Sequence, residues 1–291
     1  MIVSRADGAL RLVEQVEHGR VAGELAAAWG NDTYEAVAPK MSVHMAAARH
    51  DEGWRAWDAR VLFNEVERRP LHFLEIEAGE HIRLYRQGLN RVSLQDVYAG
   101  VLVGMHWTGL YRGRWSAPGA QARVGRSEED RRRQDRVVRS EQRRWIDAKD
   151  EAWSEPEARS AFETRLWHNY ELLQLWDLLS LYVSVMPAEP GPAEPPASWG
   201  PQLRDLEHSP QTVVLPAVAP APGVAGVPIT ASVRSFGEVT LDPFPFRAPV
   251  DLEVEHTVLP DRGWTKAEAA RRVRTTPSSA TKWRLVPPVT P

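Results

Sequence analysis

Five polar side chains stand out because of where they fall: His18, the adjacent His50 and Asp51, His106, and Asp177. Imidazoles and carboxylates are what borderline divalent metals take, and histidines gain little from converging unless a cation joins them. Taken singly, a histidine on an apolar helix is more often a hydrogen-bonded core residue than a ligand. Asp177, within Leu175-Trp176-Asp177-Leu178-Leu179, resists that reading. A buried carboxylate costs several kcal/mol unless it finds a metal, an arginine or a proton. In the order His, His-Asp, His, Asp, the five read together as a metal site. With no cysteine in the chain, any metal must be held by His and Asp/Glu, and disulfides, thiolate nucleophiles and iron–sulfur clusters are excluded.

Each of the five falls in a segment that reads as a helix. Residues 14–29 carry Val16, Val21, Leu25 and Ala28 near one face, with His18 among them, and Gly30-Asn31-Asp32 closes the helix. A second helix runs from about Met41 to Asp51, closed by Gly53 with Trp54 and Trp57. A short helix over 80–88 ends at glycine. The run 93–110 predicts a helix that is apolar nearly all round, hence central, with Ser93 as N-cap and His106 inside. Residues 157–185 show helical spacing from Phe162 through Val183, with Asp177 in the apolar middle. The intervening segment 112–149 is dense in arginine with acidic residues interleaved, which predicts a solvated surface excursion. A basic lid over an anionic substrate is the alternative.

The ends of the chain read differently. Residues 2–13, with Asp7-Gly8 between β-formers, predict a hairpin. Residues 187–211 are Pro-rich and read as a linker. Beyond them come strand-like runs at 212–215, 229–235, 238–241, 250–258 and 283–286, with a helix at 265–274 and a corner at Asp242-Pro243-Phe244-Pro245-Phe246. His208 and His256 lie in this part, in exposed-looking contexts. The expected organisation is a mainly α helical domain over 1–186, then the linker, then a β-rich region over 212–291 packed on the helices and extended to the hairpin.

The 291 residues, 43% hydrophobic and 26% charged, suffice for a sizeable core. A net charge of −3 makes no electrostatic case for nucleic acid. The N-terminal residues show no apolar signal core, and the longest apolar run, 97–105, is too short to cross a bilayer. The expectation is a cytoplasmic protein with no membrane partner; the oligomeric state is open. There are 12 tryptophans, several near the candidate site (Trp54, Trp57, Trp107, Trp176), and core packing accounts for most of them. A Gly-rich phosphate loop and a Gly-x-Ser-x-Gly nucleophile turn are both absent.

The order of the five residues resembles the HD superfamily of metal-dependent phosphohydrolases, over about residues 14–185. The resemblance implies an HD-like helical bundle with His18 as first histidine, His50 and Asp51 as the signature pair and Asp177 as the closing aspartate. His106 would match the intervening histidine of two-metal members, with Asp51 bridging both ions. Glu52-Gly53-Trp54-Arg55 follows the pair, so Arg55 stands in for the lysine that often meets the substrate phosphate in those enzymes. For a second intervening histidine, His81 is a candidate and His72 a weaker one; His44 and His168 are off-face. The whole chain also resembles an uncharacterised bacterial family, domain-of-unknown-function family 3891. The matching stretches are Gln15–His18 with Gly23-Glu24-Leu25-Ala26, His50–Trp54 with Trp57-Asp58, Asp96–His106 with Leu110-Tyr111, Trp176–Leu181, and Pro243–Phe246.

The expected function is metal-dependent hydrolysis of a small anionic phosphoester by an HD-type enzyme, with one or two ions of manganese, iron or zinc. Asp51, His106 and Arg55 would carry catalysis, and His18, His50, Asp51, His106 and Asp177 the metal. Two alternatives use the same ligands: a dinuclear iron oxygenase-like enzyme, and a non-catalytic protein with a structural metal. A dry aromatic pocket favours oxygen chemistry, an open pocket with arginines favours phosphate, and a closed shell without positive charge favours the scaffold.

Overall fold

The computed structural model describes residues 1–6, 8–112, 127–154, 156–186, 197–198 and 211–289. About half of the chain is helical and about a fifth is strand. Most of the linker expected at 187–211 lies outside the described residues, as do His208 and residues 113–126 of the charged segment.

The helical part contains α1 (Gln15–Ala28), α2 (Lys40–Arg49), a 3-10 turn (Glu52–Trp54), the short α3 (Arg55–Asp58), α4 (Ala78–Ser93), α5 (Val97–Tyr111), α6 (Glu128–Ala152) and α7 (Arg159–Val185). As its composition predicts, α5 is buried from Tyr98 to Leu110. Its N-cap is Asp96, which accepts from the Ala99 amide at 2.8 Å, whereas Ser93 ends the preceding helix. Asp96 was free to cap because its extended backbone (φ −155°, ψ 116°) aims the carboxylate at the first turn.

Two expectations need correction. α4 does not stop at Gly88, because that glycine serves packing rather than termination. A Cβ at Gly88 would lie 2.5 Å from the Gly53 amide nitrogen, and one at Gly53 would lie 1.9 Å from the Leu84 carbonyl oxygen. The two glycines let the turn after His50-Asp51 rest directly on α4. Likewise, α6 is not a solvated excursion: Val137, Val138, Glu141, Trp145 and Ala148 are buried, and the helix packs on α5. The i, i+4 and i, i+3 steps of that narrow stripe suffice to dock it, although arginines surround it.

The strands are β1 (Ile2–Ala6), β2 (Ala9–Val13), β3 (Phe63–Asn64), β4 (Arg69–Pro70), β5 (Ala197–Ser198), β6 (Thr212–Val214), β7 (Thr230–Ser235), β8 (Glu238–Asp242), β9 (Val250–Pro260) and β10 (Ser279–Val286), with α8 (Lys266–Thr275) before the last. β3 and β4 pair with each other; the rest follow the order β1-β2-β9-β10-β8-β7-β6-β5. The N-terminal hairpin thus joins the C-terminal strands through β9. That strand pairs antiparallel with β10 up to His256 and with β2 from Thr257 onward. Its inward side chains change parity at the same place, Leu252 and Val254 before it and Leu259 after it. One hydrophobic cluster runs from the helices into β7–β10, including Trp176, Leu252, Trp283 and Leu285. A smaller one under the hairpin holds Val3, Leu10, Leu259 and Trp264. Residues 244–246 brace the end of α1: Gly30 donates to the Pro245 carbonyl, and the Asn31 amide to that of Phe244. Among the described residues no helix is long and apolar enough to cross a membrane.

Candidate metal centre

The sequence alone would let His50 and Asp51 diverge, since adjacent helical side chains point about 100° apart. The chain avoids this by leaving the helix between them. α2 ends at Arg49, His50 is its C-cap in α geometry, and Asp51 turns to φ −105°, ψ 21° as the start of the 3-10 turn. α1 approaches α2 closely because Gly23 faces Ala48, where a Cβ would stand 2.6 Å from the Ala48 methyl. That approach brings His18 of α1 to His50, and α7 delivers Asp177 from the other side.

All five predicted ligands are buried, none more than 4% exposed. The His18 Nε2–His50 Nε2 separation is 3.0 Å. Asp177 Oδ1 is 3.3 Å from each of those nitrogens, and Asp51 Oδ2 is 3.4 Å from His18 Nε2 and 3.9 Å from His50 Nε2. His106, from α5, forms a second convergent group with His50 and Asp177, its ring centroid 4.9 Å from that of His50. Within each of the two groups, His18/His50/Asp51 and His50/His106/Asp177, the candidate ligand atoms lie within 4.8 Å of one another. These buried clusters could bind a metal ion.

Hydrogen bonds behind the cluster fix its chemistry. His50 Nδ1 lies 2.8 Å from the Ala47 carbonyl oxygen, which only accepts, so Nδ1 carries a proton and donates it. His18 Nδ1 lies 2.7 Å from Ser180 Oγ, and Ser180 spends its own proton on the Asp177 carbonyl at 2.8 Å, so His18 Nδ1 also donates. Both Nε2 atoms are therefore left as lone pairs, facing each other and two carboxylates. Four acceptors at a buried junction require a positive charge. Either His50 takes a second proton or a cation binds. Ligand atoms about 2.1 Å from one ion stand about 3.0–3.4 Å apart at octahedral or tetrahedral angles, and four of the five separations above fall in that range. The residues present fit a divalent metal.

The electrostatics agree. Burial by itself would lower the His50 pKa, but Asp51 and Asp177 lift it to about 9. Burial would raise both carboxylates, yet the imidazoles hold Asp51 and Asp177 below the ordinary carboxylate range. His106 differs: burial pushes it down to about 4, and its Nδ1 is buried without a hydrogen-bond partner among the described residues. Its ring is neutral, and it lacks the anchoring that His18 and His50 have.

Three supporting residues were not foreseen. Tyr85 donates to Asp51 Oδ1 at 2.8 Å, the Gln15 amide donates to Asp51 Oδ2 at 3.2 Å, and Ser180 orients His18. A helical spacing signal existed for each: Gln15 precedes His18 by three, Tyr85 follows His81 by four, and Ser180 follows Asp177 by three.

The cluster opens on a narrow cavity of about 20 Å³, room for one water-sized particle, lined also by Phe73, Leu74, His81, Tyr85, Leu110 and Leu181. Among the described residues no lysine or arginine lines it. Arg55 is not brought there: its side chain is 62% exposed and its guanidinium lies 3.3 Å from Glu52, because Trp54 takes the inward direction at that turn. It lines a separate outer groove with Glu14, Arg20 and His256. His72 accepts from the Val3 amide at 3.0 Å, away from the cluster. His44 and His168 are likewise outside it, both lowered in pKa by burial. His256 is half-buried at the strand change in β9.

The family model described as "Protein of unknown function (DUF3891)" matches residues 1–261. The chain belongs to that family. No curated protein and no solved structure matches it.

Proposed function

We propose that this family member is a metal-dependent hydrolase of the HD type, acting on a phosphoester. The observation that carries the reading is the junction of His18 Nε2, His50 Nε2, Asp51 and Asp177, with both Nδ1 atoms already committed as donors. A bound divalent ion there supplies a Lewis acid and lowers the pKa of water. The chain's own residues do the rest. Ala47 and Ser180 hold the two imidazoles in the metal-facing tautomer. Tyr85 and Gln15 hold the two oxygens of Asp51. The apolar rim of Phe73, Leu74, Leu110 and Leu181 excludes bulk water and sharpens every charge interaction inside. His106, whose ring lies beside that of His50, would ligate a second ion or deliver a proton. Arg55 has no part in the reading.

A second reading has its own support. Beyond the candidate ligands, Gln15 and His81, the described lining is aromatic and aliphatic and includes no lysine or arginine, which suits dioxygen chemistry on ferrous iron better than a multiply charged substrate. One experiment separates them. The purified protein is loaded with manganese, zinc or ferrous iron, its metal content measured, and its turnover followed on a panel of phosphoesters and by oxygen consumption. Phosphoester hydrolysis that a chelator abolishes and Asp51→Asn removes supports the hydrolase. Oxygen consumption without hydrolysis replaces it with the oxygenase, and stable metal with neither leaves a structural ion.

A further inference from the structure

His81 is the one histidine on the cavity wall that belongs to neither convergent group of ligand atoms among the described residues. It lies on α4, 3% exposed, framed by Trp54 at 5.7 Å and Tyr85 at 4.7 Å between ring centroids. Its Nδ1 is 2.5 Å from the hydroxyl of Tyr111, the last residue of α5. That hydroxyl makes no other hydrogen bond among the described residues. Were Nδ1 the donor, the phenolic proton of the largely buried Tyr111 would be left without an acceptor among the described residues, which is unfavourable. The lower-energy arrangement has Tyr111 donating to Nδ1. A neutral imidazole then carries its proton on the other nitrogen.

We infer that His81 is a neutral hydrogen-bond donor to whatever occupies the cavity, with its proton on Nε2, its Nδ1 accepting from Tyr111, and no bond to metal. Among the described residues no carboxylate forms an ion pair with the ring; burial, against the opposing pull of the Asp51 charge, pushes its pKa down to about 3, so it stays neutral through the physiological range. The ligand class follows from the donor: a group presenting an acceptor oxygen, neutral or anionic. His81 thereby takes a different part from the intervening histidine of a two-metal site, since a protonated nitrogen has no lone pair to give. Tyr111 is a positioning residue. The use of the donor rests on the metal-dependent reading above; the tautomer does not.

The test is a long-range proton–nitrogen NMR spectrum of the full chain with labelled histidine, metal-free and zinc-loaded, with His81 assigned from its loss in His81→Gln. The expected result is a proton on Nε2 in both forms, unchanged from pH 6 to pH 9, and the same zinc per chain in His81→Gln as in wild type. In Tyr111→Phe the proton should stay on Nε2 while the Nδ1 resonance moves to the position of an imidazole nitrogen that accepts no hydrogen bond, at unchanged zinc content. Loss of the Nε2 proton on adding zinc, or a lower zinc stoichiometry in His81→Gln, makes His81 a ligand and overturns the inference. A wild-type ring protonated on Nδ1 overturns it as well. A protein that takes up no zinc while His81 keeps its Nε2 proton removes the metal reading and leaves the donor assignment standing.

Discussion

Two regions of this protein are rich in ionisable residues, and they behave oppositely. α6 carries arginines at 131–133, 136, 139, 143 and 144. Most face water, and several are neutralised within the helix, Arg132 by Glu128, Arg133 by Glu129 and Arg144 by Glu141. The two exposed pairs, Arg132–Glu128 and Arg133–Glu129, contribute little, because solvent already stabilises each charge. The junction of α1, α2 and α7 holds fewer charges, but all are buried and none is self-sufficient. Its two imidazoles and two carboxylates leave four lone-pair atoms facing inward, and the surroundings raise the pKa of His50 and lower those of Asp51 and Asp177. Density of charge along a sequence therefore says little about function; burial without neutralisation says a great deal.

The sharpest way to break that comparison is to remove charge from the junction. Asp177→Asn and Asp51→Asn each delete an anionic ligand while keeping shape, and each should weaken zinc or manganese affinity by at least about 100-fold, since even outer partners of metal ligands are worth about 10–100-fold. Equilibrium dialysis with metal analysis reads this directly. Wild-type affinity in both variants would mean that the ion, if any, lies elsewhere. In parallel, metal at about 100 times its Kd should stabilise the wild type by about 2.7 kcal/mol. That is a rise of about 4–5 °C in Tm for a chain of this size.

The next effect belongs to α6, whose buried stripe, not its charge, ties it to the fold. Trp145 is 9% exposed and donates its indole N–H to Glu141 at 3.1 Å. Trp145→Ala should cost about 3–5 kcal/mol, read by denaturant unfolding. A loss under about 1 kcal/mol would return the helix to the status of a surface excursion, the reading its sequence suggests. The sequence misleads there because the stripe is only one or two residues wide among arginines. The same physics limits legibility elsewhere. His18, His50, Asp51, His106 and Asp177 are visible because a polar residue in an apolar helix is anomalous in one dimension. Gln15, Tyr85 and Ser180 stand at helical spacing from a histidine or aspartate of the site, but that spacing names no hydrogen-bond partner until the helices meet. Gly88 looks like a helix end until Gly53 is packed against it. The strands after residue 211 are legible from alternation, but the splitting of β9 between β10 and β2 is not, since it depends on a hairpin more than two hundred residues away.

A smaller, pH-dependent effect distinguishes proton from metal at the junction. In metal-free protein the folded His50 pKa, about 9, lies above its ordinary value of 6.5. The protonated ring thus favours folding: the contribution is complete below about pH 6.5 and is lost as pH rises through about 9. The carboxylates run the other way, since both are depressed. Their contribution is present above about pH 4 and is lost on acidification through their folded values. Tm of the metal-free protein should therefore decline between pH 7 and pH 10. With metal bound, the His50 lone pair is committed and that decline should flatten. Parallel curves with and without metal would show that the ion does not contact His50.

The smallest expected effect is the control that gives the others their meaning. Arg139 is exposed on α6 and forms no ion pair among the described residues. If the arginines are solvated and individually dispensable, Arg139→Ala should move Tm by no more than about 1–2 °C, since exposed substitutions usually stay within about 0.5 kcal/mol. Metal content should not change, because Arg139 is not among the residues that line the cavity. Loss of activity on an anionic substrate without loss of metal or stability would give α6 the role of a basic lid. It would also mean that exposed charge on this helix, and not only buried charge at the junction, serves the reaction.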